Sequence, residues 1–131
     1  MNMTESDLFK QITIFDNHKV ITNVEGNFVM EIKVTENALN PYGTAHGGFL
    51  YTLCDTAAGA TAATLGDYTV SLQGNINYIK PARKDDILTV NGKCIHNGNK
   101  TKVINVEITN QRNQLICSSS FTMFFIAKIE K

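Results

Sequence analysis

Hydrophobic and polar residues alternate with a period of two along most of the chain, which predicts β-strands. The alternation is clear in residues 28–35, where Phe28, Met30, Ile32 and Val34 fall on one side. Similar patterns predict further strands at residues 18–24, 68–81, 86–96, 102–111 and 114–127. The turn sequences "EGN" at 25–27 and "NGN" at 97–99 separate neighbouring strands, and such short connections favour antiparallel pairing.

The strand predicted at residues 68–81 has an apolar face, which we expect to face the protein interior. This face consists of Val70, Leu72, Ile76 and Tyr78. The opposite, polar face consists of Ser71, Gln73, Asn75 and Asn77.

The period changes between Ala45 and Leu65, where the sequence predicts one long helix. Its first turns carry large apolar residues and its later turns carry mostly alanine, so the helix is apolar on nearly all sides. Such a helix is expected at the centre of a structure, and its small residues allow a sheet to approach closely. The order of two strands, one long helix and four strands therefore predicts an α+β fold in which an antiparallel sheet wraps around the helix. A short amphipathic helix is also predicted at Thr4 to Ile12.

The length of 131 residues predicts a single domain over residues 1–131, with residues 1–16 as an N-terminal arm. Twelve basic and twelve acidic side chains cancel, which argues against nucleic acid and anionic membranes as partners. The sequence has no signal-peptide h-region and no apolar run of membrane-spanning length, so we expect a cytoplasmic protein.

The chain contains three cysteines, Cys54, Cys94 and Cys117, which are far apart in the sequence. An odd number without metal-ligand spacing predicts neither a disulfide framework nor a metal site. We expect buried, reduced thiols.

Glycines gather at the start of the predicted helix, at positions 43, 47 and 48. Each glycine within a helix costs about 1 kcal/mol relative to alanine. One interpretation is that Gly47 and Gly48 offer their first-turn N–H groups to an anion or a developing oxyanion. The other is a loop that merely needs flexibility before a helix that starts later.

Asp55 is a single carboxylate within this apolar helix. Burying its charge without a partner is costly, so it either pairs with a lysine or caps another element, or it lines a cavity as a general base or nucleophile. Asp55 lies eight residues after Gly47, which is about 12 Å along a helix. Both groups act on one carbonyl only if a second copy of the chain supplies one of them, as in a two-fold dimer with antiparallel helices.

Two segments, "NPYGTAHGGFLYTLCDTA" from Asn40 and "VSLQGNINYIKPA" from Val70, resemble the PaaI-like hotdog-fold acyl-CoA thioesterases. The resemblance extends by motif over residues 40–82 and implies hydrolysis of acyl-CoA thioesters by a homodimer or a dimer of dimers. It implies that Asp55 is the general base or nucleophile and that the Gly47 N–H of the neighbouring subunit polarises the thioester carbonyl. No separate cofactor is implied, because coenzyme A is part of the substrate.

The same resemblance implies roles for three further residues. Asn40 would position the nucleophilic water, and His46 would hold the loop through hydrogen bonds of its ring. Ser71 falls where some members carry an auxiliary polar residue, although its alternation with Val70 and Leu72 also fits a packing serine. Gly48 is a candidate substrate contact beside Gly47.

Five basic residues lie in or beside predicted loops: Lys80, Arg83, Lys84, Lys100 and Lys102. They are either solvated charges or contacts to the phosphates of coenzyme A. Arg83, Lys84 and Lys100 are the candidates, and Arg83 and Lys100 lead because they flank turns that the resemblance places near the nucleotide.

Two other functions remain open from the residues. A hotdog hydratase or dehydratase would use a histidine and an acid. Such enzymes resemble one another in a proline-rich loop after the histidine, and this chain lacks that loop. A non-catalytic acyl-CoA binding module would have no use for Asp55. Thioester hydrolysis fits a site without a Ser-His-Asp triad, because a thiol of pKa about 8.5 leaves without a general acid.

Overall fold

In the described part of the chain, six antiparallel strands form one sheet, and one long helix packs against it. The structure, a computed structural model, describes residue 15 and residues 17–130, so the helix predicted at 4–12 lies outside the described residues. The elements are β1 (Lys19–Val24), β2 (Asn27–Lys33), α1 (Gly47–Thr64), β3 (Asp67–Tyr78), β4 (Ile87–Asn97), β5 (Thr101–Thr109) and β6 (Leu115–Lys128). A 3-10 turn at Glu36–Ala38, which the sequence did not predict, precedes α1.

The strands follow the order β1-β2-β4-β5-β6-β3, and every neighbouring pair is antiparallel. This confirms the predicted α+β architecture and the antiparallel pairing. Because β3 is an edge strand, it pairs with β6 on one side and has no partner strand on the other within the described chain. Its free backbone groups are open to a further strand.

Small residues bring α1 close to the sheet. Ala57, Ala58 and Ala60 are buried on the helix, and α1 contacts all six strands. Gly92 on β4 lies opposite this region, where a Cβ atom would clash with Thr61 Oγ1. The predicted close approach of sheet and helix is therefore confirmed.

Both ends of α1 have specific local causes. His46 is the N-cap residue, and its side chain accepts a hydrogen bond from the Gly48 N–H. At the other end, Gly66 takes a φ of 91°, a conformation that costs glycine little, and its N–H donates to Ala63 O at 3.0 Å. The chain can therefore turn within two residues from α1 into β3.

The predicted inward orientation of the apolar face of β3 is wrong for Val70, Leu72 and Tyr78. Tyr78 is 52% exposed, and only Ile76 of this predicted face packs against the core. Val70 and Leu72 are 51% and 64% exposed, whereas the Ser71 side chain reaches α1. The pairing of β3 with β6 shifts between Tyr68 and Thr69 and again between Ser71 and Gln73. Each bulge changes the side to which the following residues point, and simple alternation does not anticipate this.

The inward face of the sheet is mostly apolar. The predicted interior residues Phe28, Met30, Ile32 and Val34 are all buried, as are Ile104, Val106 and Ile108 on β5. Lys102 continues this inward row of β5 and is only 4% exposed, so its assignment to solvated or phosphate-binding loop charges is wrong. Within the described residues, no helix combines the length and the apolarity that a membrane span requires.

Candidate active site

Asp55 and Ser71 form one half of the candidate site. α1 presents Asp55 toward β3, and Ser71 Oγ donates a short hydrogen bond to Asp55 Oδ1. Asp55 is partly buried, and no described group donates a hydrogen bond to its second carboxylate oxygen. That oxygen therefore remains available to a water molecule or to a substrate carbonyl carbon.

A depression of about 290 Å³ opens in front of this pair. Gly59 lies one helical turn beyond Asp55 on the same face of α1, and Met123 on β6 forms part of the opposite wall. A Cβ atom added at Gly59 would meet nothing within 4 Å. Packing within the chain therefore does not require glycine at this position, whereas a bound group or a second chain would use the open space.

The start of α1 forms the other half of the candidate site. His46 Nδ1 accepts the hydrogen bond of the Gly48 N–H at 3.0 Å, so this nitrogen carries no proton and the ring hydrogen lies on Nε2. The Gly48 N–H is thus already engaged, contrary to its expected use as a free donor. The Gly47 N–H has no acceptor among the described residues and lies at the positive end of the helix dipole.

Tyr78 supports this half, although the hydrophobic pattern predicts only a packing role for it. Its hydroxyl donates to Gly47 O at 2.9 Å. Partial burial raises the pKa of the Tyr78 phenol, so the hydroxyl keeps its proton and remains a donor. A signal that could have identified Tyr78 is its place in "YIKP", an aromatic–x–x–Pro sequence within the second segment that carries the family resemblance. Tyr78 and Gly47 line a second depression, of about 310 Å³.

Asn40 organises the loop that leads to α1. Its Oδ1 accepts hydrogen bonds from the Tyr42 and Thr44 N–H groups at 3.0 and 3.2 Å, and its Nδ2 donates to Thr44 Oγ1 at 3.0 Å. The amide of Asn40 still has one further N–H hydrogen. The side chain therefore holds the loop and keeps one donor available.

The two halves do not meet within one chain. Gly47 and Asp55 lie at separate depressions, eight residues or about 12 Å apart along α1. They nevertheless share one incompletely covered stripe of the helix, which runs beside the free edge of β3. The stripe consists of Gly47, Gly48, Thr52, Asp55, Thr56, Gly59 and Ala63.

The three basic candidates are exposed. They do not lie together in the folded chain, because two are near the start of α1 and one is near Asp55 and Ser71. Arg83 pairs through a β-bridge with Thr44, close to the start of α1. Lys84 forms a surface ion pair with Glu36 at 3.6 Å. Lys100 lies in the β4–β5 turn, where its carbonyl accepts from Phe125 N, so it belongs to the end that contains Asp55 and Ser71.

The cysteines take no part in either half. Cys54 and Cys117 are buried as expected, with their sulfur atoms 3.8 Å apart, whereas Cys94 is partly exposed. The hydrogen bond with Cys54, together with burial, raises the pKa of the Cys117 thiol. Across the described part of the chain, no three metal-ligating side chains come together.

Comparisons with known proteins identify the family. A model described as the thioesterase superfamily matches residues 42–117. The acyl-coenzyme A thioesterase PaaI of Escherichia coli strain K12 is 32% identical over 97 residues, which are 74% of this chain and 69% of that protein.

Solved structures extend the likeness over nearly the whole chain. A hypothetical thioesterase of Streptococcus pneumoniae TIGR4 with coenzyme A is 41% identical, with a TM-score of 0.93 over 97% of this chain and 100% of that one. A Streptococcus mutans UA159 protein bound to acetyl-CoA is 37% identical, with a TM-score of 0.87 over 92% and 98%. Structures also exist of pneumococcal variants in which an aspartate, or a threonine sixteen positions later, is replaced by alanine. The chain therefore belongs to the thioesterase superfamily, in its PaaI-like hotdog-fold branch, and is a thioesterase.

Proposed function

We propose that this protein hydrolyses acyl-CoA thioesters to the free acid and coenzyme A, at sites shared by two copies of the chain. The observation that carries the proposal is the division of the site into two halves on one stripe of α1. A carboxylate with a free oxygen lies at Asp55, and an N–H without an acceptor lies at Gly47. The streptococcal relatives that bind coenzyme A and acetyl-CoA support this class of substrate.

A two-fold dimer with antiparallel helices brings the Asp55 half of one copy to the Gly47 half of the other. The stripe of small and polar residues allows two helices to approach closely, and the free edge of β3 offers backbone groups for pairing with a second β3. Exposed apolar side chains along this strand and just after it add area to bury, notably Leu72, Tyr78 and Ile79. A dimer of dimers is the larger assembly that we propose from the family resemblance.

Asp55 acts on the thioester either as a general base that activates water or as a nucleophile. In the first case, a water oxygen bonds to the carbonyl carbon while Asp55 takes a water proton. The C–S bond then breaks, and the thiolate leaves with the electron pair, because a thiol of pKa about 8.5 needs no general acid. Ser71 holds the carboxylate by its hydrogen bond to Oδ1.

The Gly47 N–H of the partner copy stabilises the oxyanion that forms on the carbonyl oxygen. Tyr78 fixes the Gly47 peptide through the carbonyl oxygen, and His46 holds the first turn by accepting from Gly48. Asn40 donates its remaining N–H to the nucleophilic water. The remaining N–H of the Asn40 amide supports this role, and hydrogen bonds with Thr44 hold the Asn40 side chain in place.

We assign the phosphates of coenzyme A to exposed basic residues that the two copies bring together. Arg83 lies at the Gly47 end of its chain and Lys100 at the Asp55 end, so one substrate contacts both only across the dimer. Lys84 is adjacent to Arg83 and loses only a weak surface ion pair if it turns toward a phosphate.

The spacing of the carboxylate and the hydroxyl supports the roles of Asp55 and Ser71. They are sixteen residues apart, as are the aspartate and threonine replaced in the pneumococcal variants. Serine and threonine both supply the hydroxyl that donates to the carboxylate.

The test is a panel of acyl-CoAs, with released coenzyme A measured by a thiol-reactive dye. We expect release by the wild-type protein and little release by Asp55→Asn, which keeps the shape of the side chain but removes its charge. A matched control is Asp85→Asn, an exposed carboxylate in the turn before β4. Equal turnover by wild type and Asp55→Asn would refute the role of Asp55. Binding without release would indicate a binding module, and a change in enoyl absorbance without thiol release would indicate a hydratase.

A further inference from the structure

A buried ion cluster lies behind the Asp55 half of the site. Lys102 Nζ and Asp67 Oδ2 are 2.9 Å apart, and both side chains are almost fully buried. Lys128, whose side chain is largely exposed, approaches Asp67 Oδ1 at 2.7 Å. Apolar residues form most of the surrounding inward face, so the burial of charged side chains here calls for an explanation.

The geometry excludes an acid–base role for Lys102. Its ammonium contacts Asp67, Asn97 Oδ1 and Gly98 O, the last at 3.3 Å. These contacts use all three N–H donors of a lysine. A buried ion pair usually adds little stability over well-packed apolar side chains of similar size. The remaining explanation is that the pair fixes the relative positions of the elements that it joins.

The pair joins two strands that are not neighbours. Asp67 begins β3 and Lys102 lies on β5, with β6 between them in the sheet. Lys102 is in register with Met123 on β6, and Met123 is in register with Ser71 on β3. The ion pair therefore crosses β6 beside the row that contains Ser71.

This part of β3 needs an additional anchor. Only two residues separate Asp67 from the end of α1, so it lies at the corner between the helix of Asp55 and the strand of Ser71. Two register shifts interrupt β3 on either side of residues 69–71, and within the described residues β3 has ladder hydrogen bonds on one side only. Bulges near a site change the direction of a side chain, and their position must then be held.

We propose that Asp67 and Lys102 are positioning residues for thioester hydrolysis, which hold the α1–β3 corner so that Ser71 meets Asp55. The proposal rests on the proposed function for its catalytic consequence. Its structural part, the control of the Ser71–Asp55 contact, stands independently of which acyl group is the substrate.

The test uses the double variant Asp67→Leu/Lys102→Met, which replaces both charges with apolar side chains and leaves no unpaired buried charge. We expect it to unfold at a urea midpoint close to that of the wild type. Its kcat should fall roughly ten- to hundredfold, the size of effect that a small misplacement of a catalytic group produces, with KM unchanged. The matched control is Lys128→Met, which removes the exposed partner of the same carboxylate and should retain the wild-type kcat.

A combination with Ser71→Ala separates positioning from general stability. If Asp67 and Lys102 act through Ser71, adding Ser71→Ala to the double variant should lower kcat no further than Ser71→Ala does alone. Multiplying effects would overturn the proposal. A crystal structure of the double variant supplies a measurement independent of activity. We expect the Ser71–Asp55 hydrogen bond to be lost or lengthened, and an unchanged contact would refute the proposal even if the wild-type protein hydrolysed no acyl-CoA.

Discussion

Ser71 Oγ donates a hydrogen bond to the carboxylate of Asp55, joining the edge strand of the sheet to the central helix. The contact holds one carboxylate oxygen and leaves the other open toward the depression. It therefore fixes the direction in which Asp55 can act.

Replacing Ser71 with alanine should lower kcat without unfolding the protein. A hydrogen bond to a charged group contributes about 1.5–3 kcal/mol, which corresponds to roughly ten- to hundredfold in rate. Steady-state kinetics with thiol detection provides the measurement. Ser118→Ala on β6, which lines a different depression, is the control and should match wild type. Full activity in Ser71→Ala would contradict the role of the hydrogen bond.

Gly47→Pro offers a way to remove one N–H with little change to the helix. Proline is favoured at the first helical position, and the preceding residue, His46, has the extended conformation (φ −62°, ψ 136°) that proline permits. We expect kcat to fall about 10²- to 10³-fold, as when an oxyanion donor is lost. Gly47→Ala is the control, because it adds a side-chain carbon but keeps the N–H. If both variants lose activity equally, the N–H is not the group that matters.

Two inactive variants should complement each other if the site is shared. In a heterodimer of Asp55→Asn and Gly47→Pro chains, one site carries both defects and the other carries neither. Random pairing of equal amounts should restore roughly a quarter of wild-type activity. Co-expression with two different affinity tags allows the heterodimer to be isolated and assayed. An inactive heterodimer would place the complete site within one chain.

Gly59→Leu should change which acyl groups are accepted. The new side chain would fill open space one turn from Asp55 within the 290 Å³ depression. We expect activity toward aryl or medium-chain acyl-CoAs to fall at least about tenfold relative to acetyl-CoA, because apolar pockets discriminate on this scale. Glu107→Leu, which lines a different depression away from α1, is the control. Equal losses for all acyl groups would mean that the acyl chain does not pass over Gly59.

Asp67 should contribute to acid sensitivity. Burial alone would raise the pKa of its carboxyl, but hydrogen bonds and charges from Lys102 and Lys128 outweigh burial, so the pKa lies below its ordinary value. The carboxylate therefore stabilises the fold above the unfolded-state pKa of about 3.9, and this stabilisation is lost as the pH falls through the lower folded-state pKa.

Urea unfolding at a series of acidic pH values measures this contribution. The free energy of unfolding of Asp67→Leu/Lys102→Met should fall less steeply below about pH 4 than that of the wild type. Some slope should remain, since Asp86 is also buried and its pKa is lowered by the Arg83 N–H and the Gln111 side chain. Parallel curves for the two proteins would show that Asp67 titrates alike in the folded and unfolded states.

The sequence predicted the elements and their order because long runs of period two and one long apolar segment leave little ambiguity. α1 was predicted at 45–65 and spans Gly47–Thr64. The orientation of Val70, Leu72 and Ser71 was not predictable, because a bulge adds a residue without a change in the hydrophobic pattern.

Features that depend on contacts between distant residues were the hardest to predict. Asp55 and Gly47 were identified because glycines and a lone acid are unusual within a helix. The hydrophobic pattern indicates only an apolar side chain at Tyr78, since its hydrogen-bond partner lies 31 residues away. A position beside a predicted turn groups Lys102 with loop charges, although alternation with Ile104 and Val106 points inward. The sequence gives no sign that Asp67 is its partner.

The close contact between Gly92 and Thr61 has a consequence for how substrate preference can change. With no room for even a Cβ between β4 and α1, close packing opposes rotation or sliding of the helix on its own sheet, so we expect Asp55 and the sheet to move as one body. In a shared site, the space for the acyl group then depends on the angle and offset at which two such bodies meet. Substitutions at the contact between copies could therefore broaden or narrow the range of acyl groups while every reacting residue stays the same.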